Sequence, residues 1–161
     1  MKRIGVVDYA AGNLTSVETA LKRLGITYVV SGEPEELAGC DGLIFPGVGE
    51  ARAAMRSLEE RGLDSFLHSF IRSGKPMLGI CIGCQILLSF SEENETPCLD
   101  EVPGTVRRFP ENIGLKVPHM GWNEVHQLGD CELFRGIPDG ASFYFVHSYY
   151  PDPSRREEAI A

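Results

Sequence analysis

Gly79-Ile80-Cys81-Ile82-Gly83 places a thiol between two glycines, where an apolar run gives way to a helical pattern. A nucleophile held on so sharp a turn needs neighbours without Cβ atoms, so that strand and helix approach closely while the sulfur points outward. The following helix directs its free amides and positive dipole end at Cys81, which favours the thiolate, and the Ile82 amide is available to a developing oxyanion. Cys81 is therefore the candidate nucleophile. Two other chemistries stay open on these residues alone. Cys81 is a small buried residue that packs, or it forms with Cys84 the C-x-x-C couple of a dithiol oxidoreductase. Against the couple, three strands and their helices precede it, and Cys40, Cys98 and Cys131 supply no second pair of the kind a zinc site needs.

A second glycine-rich loop, Phe45-Pro46-Gly47-Val48-Gly49-Glu50, closes an earlier apolar run. Open parallel sheets gather their binding loops at the carboxyl ends of strands, so both loops belong on one rim. The spacing is neither G-x-G-x-x-G nor a P-loop, and Glu50 would repel a phosphate. An oxyanion is the better partner for these amides.

The elements that position the two loops follow from hydrophobic period. Residues 4–7, 26–30, 42–45 and 77–80 read as strands. Leu14, Val17, Leu21 and Leu24 recur at helical spacing, as do Leu63, Phe66, Leu67, Phe70 and Ile71 before the stop at Gly74. From Ile82 a further helix is expected, with Ile86, Leu87 and Phe90 on its inner face. The alternation predicts an α/β fold, an open and mostly parallel sheet with helices on both faces. After an acidic loop at 92–95, short runs at 105–109, 122–126 and 142–147 predict a strand-rich second half.

Composition narrows the function. A chain of 161 residues with 43% hydrophobic and 24% charged side chains is one globular domain that needs no disulfides. Its 15 basic against 23 acidic residues, net charge -8, exclude broad backbone-driven nucleic-acid binding. The longest uncharged stretch, 76–91, falls short of the roughly 20 apolar residues of a spanning helix. Five irregularly placed cysteines and a start without signal-peptide character predict a cytoplasmic protein.

Pro46-Gly47-Val48-Gly49, Gly79-Ile80-Cys81-Ile82-Gly83-Cys84-Gln85 and Pro118-His119-Met120-Gly121-Trp122-Asn123 together resemble the class I (triad) glutamine amidotransferases. Asp8-Tyr9-Ala10-Ala11-Gly12-Asn13-Leu14 and Tyr144-Phe145-Val146-His147-Ser148-Tyr149 narrow the likeness to the glutaminase subunits of imidazole glycerol phosphate synthases, in histidine biosynthesis. The likeness runs over essentially the whole chain, in order. It implies that Cys81 attacks the glutamine side chain and that ammonia passes through a tunnel to a (β/α)8-barrel cyclase subunit in a heterodimer, with no cofactor. By position, Val48 and Ile82 would give oxyanion amides, with Gly47 and Gly49 letting the loop change conformation. Gly49, Gln85, His147, Ser148 and Tyr149 would line the glutamine pocket, and Asn13, Met120, Trp122 and Asn123 would face the partner.

One departure from the family pattern bears on activity. The resemblance implies a His-Pro-Glu stretch beyond the Tyr-rich strand, supplying the general base and the carboxylate that orients it. His68, His119, His126 and His147 all lie in other segments, and the chain as given stops at Ala161. Residues 1–161 are thus expected to form a single amidotransferase domain that lacks its C-terminal segment and is inactive alone. Another class I glutaminase subunit and a catalytically idle partner-binding scaffold are the alternatives within the same fold.

Overall fold

The computed structural model describes residues 2–112 and 114–161. The first half is a parallel sheet of β1 (Arg3–Val7), β2 (Thr27–Ser31), β3 (Gly42–Gly47) and β4 (Met77–Cys81), in the order β2-β1-β3-β4. Around it run α1 (Leu14–Arg23), α2 (Pro34–Ala38), α3 (Ala51–Glu60), α4 (Leu63–Arg72) and the single turn α5 (Ile82–Gln85). α3 buries Ala51, Ala54, Met55 and Leu58, and α4 buries Leu63, Leu67 and Phe70, each a stripe at helical spacing. With Val7, Tyr9, Leu37, Leu43 and Phe45 these side chains form one core on one face of the sheet. Leu58, Leu63 and Leu67 are fully buried there, each worth about 1.5–3 kcal/mol of transfer free energy.

Val6 and Leu21 are buried outside that core, which places α1 on the opposite face, where it packs against β2. β4 lies at the sheet edge. Its Leu78 and Ile80 stand in register with Ile44 and Pro46 and so point toward the α1 side, beyond the reach of α1, and both are 41% exposed. The expected cover on both faces holds at β1 and fails at β4.

The second half is built from β5 (Leu88–Ser91), β6 (Thr96–Pro97), β7 (Val102–Arg108), β8 (His119–Val125), β9 (Ala141–His147) and β10 (Tyr149–Pro153). A mixed sheet runs β10-β7-β5-β6, while β8 and β9 pair antiparallel as a separate ribbon. The strand-rich reading is correct, but the helix expected from Ile82 to Phe90 is not. It stops after one turn at Gln85, and 88–91 become β5, paired parallel with β7 and antiparallel with β6. Two ladders satisfy the backbone of Leu88–Ser91, and that tertiary pairing overrides a helical spacing carried by only three apolar residues.

Candidate active site

Cys81 closes β4 and opens α5 with φ 56° and ψ -118°, a left-handed conformation that a non-glycine residue holds at a cost of about 1–3 kcal/mol. The flanking glycines make this turn possible. A Cβ on Gly83 would stand 1.9 Å from the Phe45 carbonyl oxygen, and one on Gly79 would stand 2.7 Å from Cys84 Cα. The strain presents the sulfur to solvent, since Cys81 is exposed, which disposes of the packing alternative. Cys84 is half-buried, and burial, then the nearby charge of Cys81, push its thiol pKa up. A neutral thiol is the weaker attacking sulfur, so of the two cysteines Cys81 is the one poised to react. Because α5 is a single turn, the macrodipole invoked from a long helix is largely absent, and the individual amides after Cys81 supply what polarity there is.

The sulfur opens onto a cleft of about 230 Å³ lined by Gly49, Ile82, Gln85 and Glu93 on the side of the parallel sheet, and by Pro118, Val146, His147, Ser148 and Tyr149 from the ribbon and the start of β10. Larger hollows lie elsewhere. One of about 700 Å³ under the ribbon is lined by Phe134, Phe143 and Phe145 and contains no cysteine, and one of about 420 Å³ holds Cys131 on ordinary extended backbone, so chemistry rather than size selects the site. Gln85 is buried at 7% exposure, and its Oε1 accepts no hydrogen bond. A buried amide oxygen left unpaired costs about 1–3 kcal/mol, and its place in the cleft lining makes it a candidate acceptor for a ligand donor. Glu93 adds a carboxylate whose Oε2 accepts the Ala51 amide at 2.8 Å, anchoring the acidic loop to the start of α3.

Histidine placement follows from the ribbon register. His119 and His147 are cross-strand partners, with Nδ1 of one 3.0 Å from Nε2 of the other. His147 Nδ1 donates to the Tyr149 carbonyl at 2.9 Å, and His119 Nε2 lies 2.9 Å from Asn123 Oδ1. Both rings are committed to holding the cleft wall. His68 pairs with Glu101, and His126 lies 3.8 Å from Glu124 and 3.6 Å from Asp139.

Of the residues singled out in sequence, Cys81, Ile82, Gly49, Gln85, His147, Ser148 and Tyr149 meet at the cleft. Gly47 is buried at its root, whereas Val48 is 48% exposed and outside the lining. Asn13 accepts the Ser16 amide at 3.2 Å as the cap of α1. Met120 and Trp122, 57% and 71% exposed, share one face of the ribbon with Tyr144 and Val146, but the pleat turns Asn123 to the other face beside His119. The four proposed partner-facing residues therefore do not form one patch. Glu93 reaches the cleft only through the placement of the acidic loop, and His119 stands behind His147 through strand register, which no local sequence pattern encodes. No group of three or more His, Cys, Asp or Glu side chains able to hold a metal occurs among the described residues, and no helix of the described residues is long and apolar enough to cross a membrane.

Residues 5–160 match the family model described as glutamine amidotransferase class-I. The chain is 50% identical over 156 residues to an imidazole glycerol phosphate synthase subunit HisH of Nitratidesulfovibrio vulgaris (strain DSM 19637 / Miyazaki F), covering 93% of this chain and 74% of that protein. It is also 50% identical over 153 residues to the subunit of the same name from Methanosarcina barkeri, covering 94% of this chain and 74% of the relative. A solved structure titled as a glutamine amidotransferase superposes with a TM-score of 0.67 at 26% identity, over 94% of this chain and 74% of the other.

Proposed function

The chain belongs to the class I glutamine amidotransferase family, and from that premise we propose that Cys81 hydrolyses glutamine as the glutaminase of an imidazole glycerol phosphate synthase, handing ammonia to a cyclase subunit in a heterodimer. The observation that carries this reading is the convergence of an exposed, strained cysteine with an unpaired buried amide oxygen and a carboxylate in one small cleft. The Cys81 thiolate attacks the carboxamide carbon of glutamine, and the oxyanion that forms is held by the Ile82 and Val48 amides, the latter after movement of the 46–49 loop. Collapse of this intermediate breaks the C–N bond, and the leaving nitrogen takes a proton and departs as ammonia. Water then cleaves the thioester to glutamate and restores the thiol. Gln85 Oε1 accepts from the substrate, Glu93 faces its α-ammonium, and His147, Ser148 and Tyr149 close the far wall.

Proton transfer needs a base that these residues do not offer: of the four histidines only His147 lines the cleft, and both its ring nitrogens are taken by His119 and the Tyr149 carbonyl. We place the base outside residues 1–161, and the relatives, of which this chain covers 74%, have length to spare for it. The outer edge of β4, with exposed Leu78 and Ile80 beside Cys81, is a docking rim for such a segment. The exposed face of Met120, Trp122, Tyr144 and Val146 is assigned to the cyclase barrel. Overall, the assembled reaction is that of a lyase, and five free thiols suit a cytoplasmic setting.

The test is modification by 6-diazo-5-oxo-L-norleucine, a diazo ketone shaped like glutamine. One adduct at Cys81, prevented by glutamine but not by asparagine, supports the assignment. A Cys81–Cys84 disulfide formed reversibly under mild oxidation, with no selective adduct, would replace it by the dithiol chemistry.

A further inference from the structure

Tyr9 carries an oxygen that this arrangement does not use. Its side chain is fully buried, its ring packs on Phe45 with centroids 5.4 Å apart, and its hydroxyl has no hydrogen-bond partner. Phenylalanine would fill the same space without that penalty, so the hydroxyl calls for a second arrangement in which it is paired. Its surroundings identify the moving part. The oxygen lies 2.5 Å from where a Cβ of Gly47 would stand, and that same point is 2.6 Å from the Gly83 nitrogen and 2.9 Å from Ile82 Cβ. The hydroxyl thus stands against the root of the 46–49 loop, at the point where that root meets the turn that follows Cys81. Past that root the loop is unconstrained. Val48 is exposed, and Gly49 has φ 94° with nothing within 4 Å of a Cβ built there.

Resting on the reading of Val48 as an oxyanion donor, we propose that Tyr9 is a positioning residue that latches this loop, its hydroxyl donating to the Gly47 carbonyl once the Val48 amide turns toward Cys81. That carbonyl and that amide are opposite ends of one planar trans peptide, so turning the amide into the cleft sends the carbonyl the other way. A buried donor waiting for the carbonyl favours the turned arrangement over the resting one. Burial, then the charge of Cys81, push the Tyr9 pKa far above its ordinary value, which keeps the proton on the hydroxyl and preserves it as a donor.

Tyr9→Phe removes a single oxygen from a packed ring and tests the latch. Parent and variant are labelled with 6-diazo-5-oxo-L-norleucine, whose ketone oxygen occupies the oxyanion position, and separately with iodoacetamide, which needs no oxyanion support. The variant is expected to melt at the same or a higher temperature. Its maximal rate of Cys81 labelling by the diazo ketone should fall roughly tenfold or more, the scale of one hydrogen bond, with half-saturation and the iodoacetamide rate unchanged. Tyr9→4-aminophenylalanine restores a donor and should recover most of the rate. Equal diazo-ketone rates in parent and Tyr9→Phe would overturn the latch. So would a loss that iodoacetamide shares, or one that the amino variant does not rescue. Absence of any Cys81 adduct in the parent is a different result, which removes the glutaminase reading and the latch with it.

Discussion

The two walls of the cleft are built in opposite ways. The elbow wall belongs to a region in which Val6, Val7, Tyr9, Phe45, Leu58, Leu63, Leu67 and Ile86 are all fully buried. The ribbon wall belongs to a region in which no hydrophobic side chain beyond Val106 is buried among the described residues, while Met120, Trp122, Tyr144 and Val146 are more than half exposed. A strained backbone survives only where its surroundings over-determine it, so the nucleophile sits on the dense side. The ribbon wall of the cleft is held by cross-strand pairs and two histidines rather than by a buried core. The reacting group is pre-organised within the chain, whereas under the proposed function completion of the site depends on docking.

Six substitutions press on that contrast. The largest effect is expected at the sulfur. Cys81→Ser should lower glutamine turnover in the assembled enzyme by roughly 10³-fold or more and abolish analogue labelling, as loss of a nucleophile does elsewhere; ammonia release measured with Cys84→Ser in parallel should remain near the parent value. Next comes the same small change made in each region. Gly83→Ala drives a methyl into the Phe45 carbonyl, and should cost about 3 kcal/mol or more in urea unfolding. Gly129→Ala meets nothing within 4 Å and should stay within about 0.5 kcal/mol. Similar losses at both positions would erase the distinction between the walls.

Trp122→Ala sharpens it from the other side. With the side chain 71% exposed, unfolding of the isolated chain should shift by less than about 1 kcal/mol, while affinity for the cyclase subunit in a binding titration should weaken by about 2 kcal/mol, the scale of an interface anchor. The smallest effect concerns alkali. Burial, followed by the charge of Glu93, raises the Cys98 thiol from 9.0 to about 11. The unfolded chain therefore loses this proton first, so the contribution of Cys98 is complete below pH 9 and declines as pH rises from about 9 through about 11. Cys98→Ala should flatten that part of a stability-against-pH curve.

The dense half was the more legible in sequence, for a physical reason. Parallel strands buried on both faces read as apolar runs, and the glycines of the elbow are dictated by contacts within a few residues of Cys81. Even there α3 was overlooked, although Ala51, Ala54, Met55 and Leu58 repeat at helical spacing after a Glu50 cap that accepts the Ala53 amide at 3.1 Å. The alanines made the stripe faint. In the second half, 88–91 read as helix in sequence because their pairing partners, 96–97 and 102–106, lie further along the chain. The His119–His147 pair and the Glu93 contact to Ala51 depend on register and on a 42-residue separation, which no local pattern encodes.

Under the proposed function Cys81 is a nucleophile poised for the glutamine side chain. A crystal structure of the 6-diazo-5-oxo-L-norleucine adduct tests it most directly. The expected result is a bond from Cys81 Sγ to the ligand, the ketone oxygen between the Ile82 and Val48 amides, Gln85 Oε1 paired with a ligand donor, and the α-ammonium beside Glu93. A ligand bonded to Cys84, or one seated away from the cleft with Gln85 Oε1 still unpaired, would contradict it.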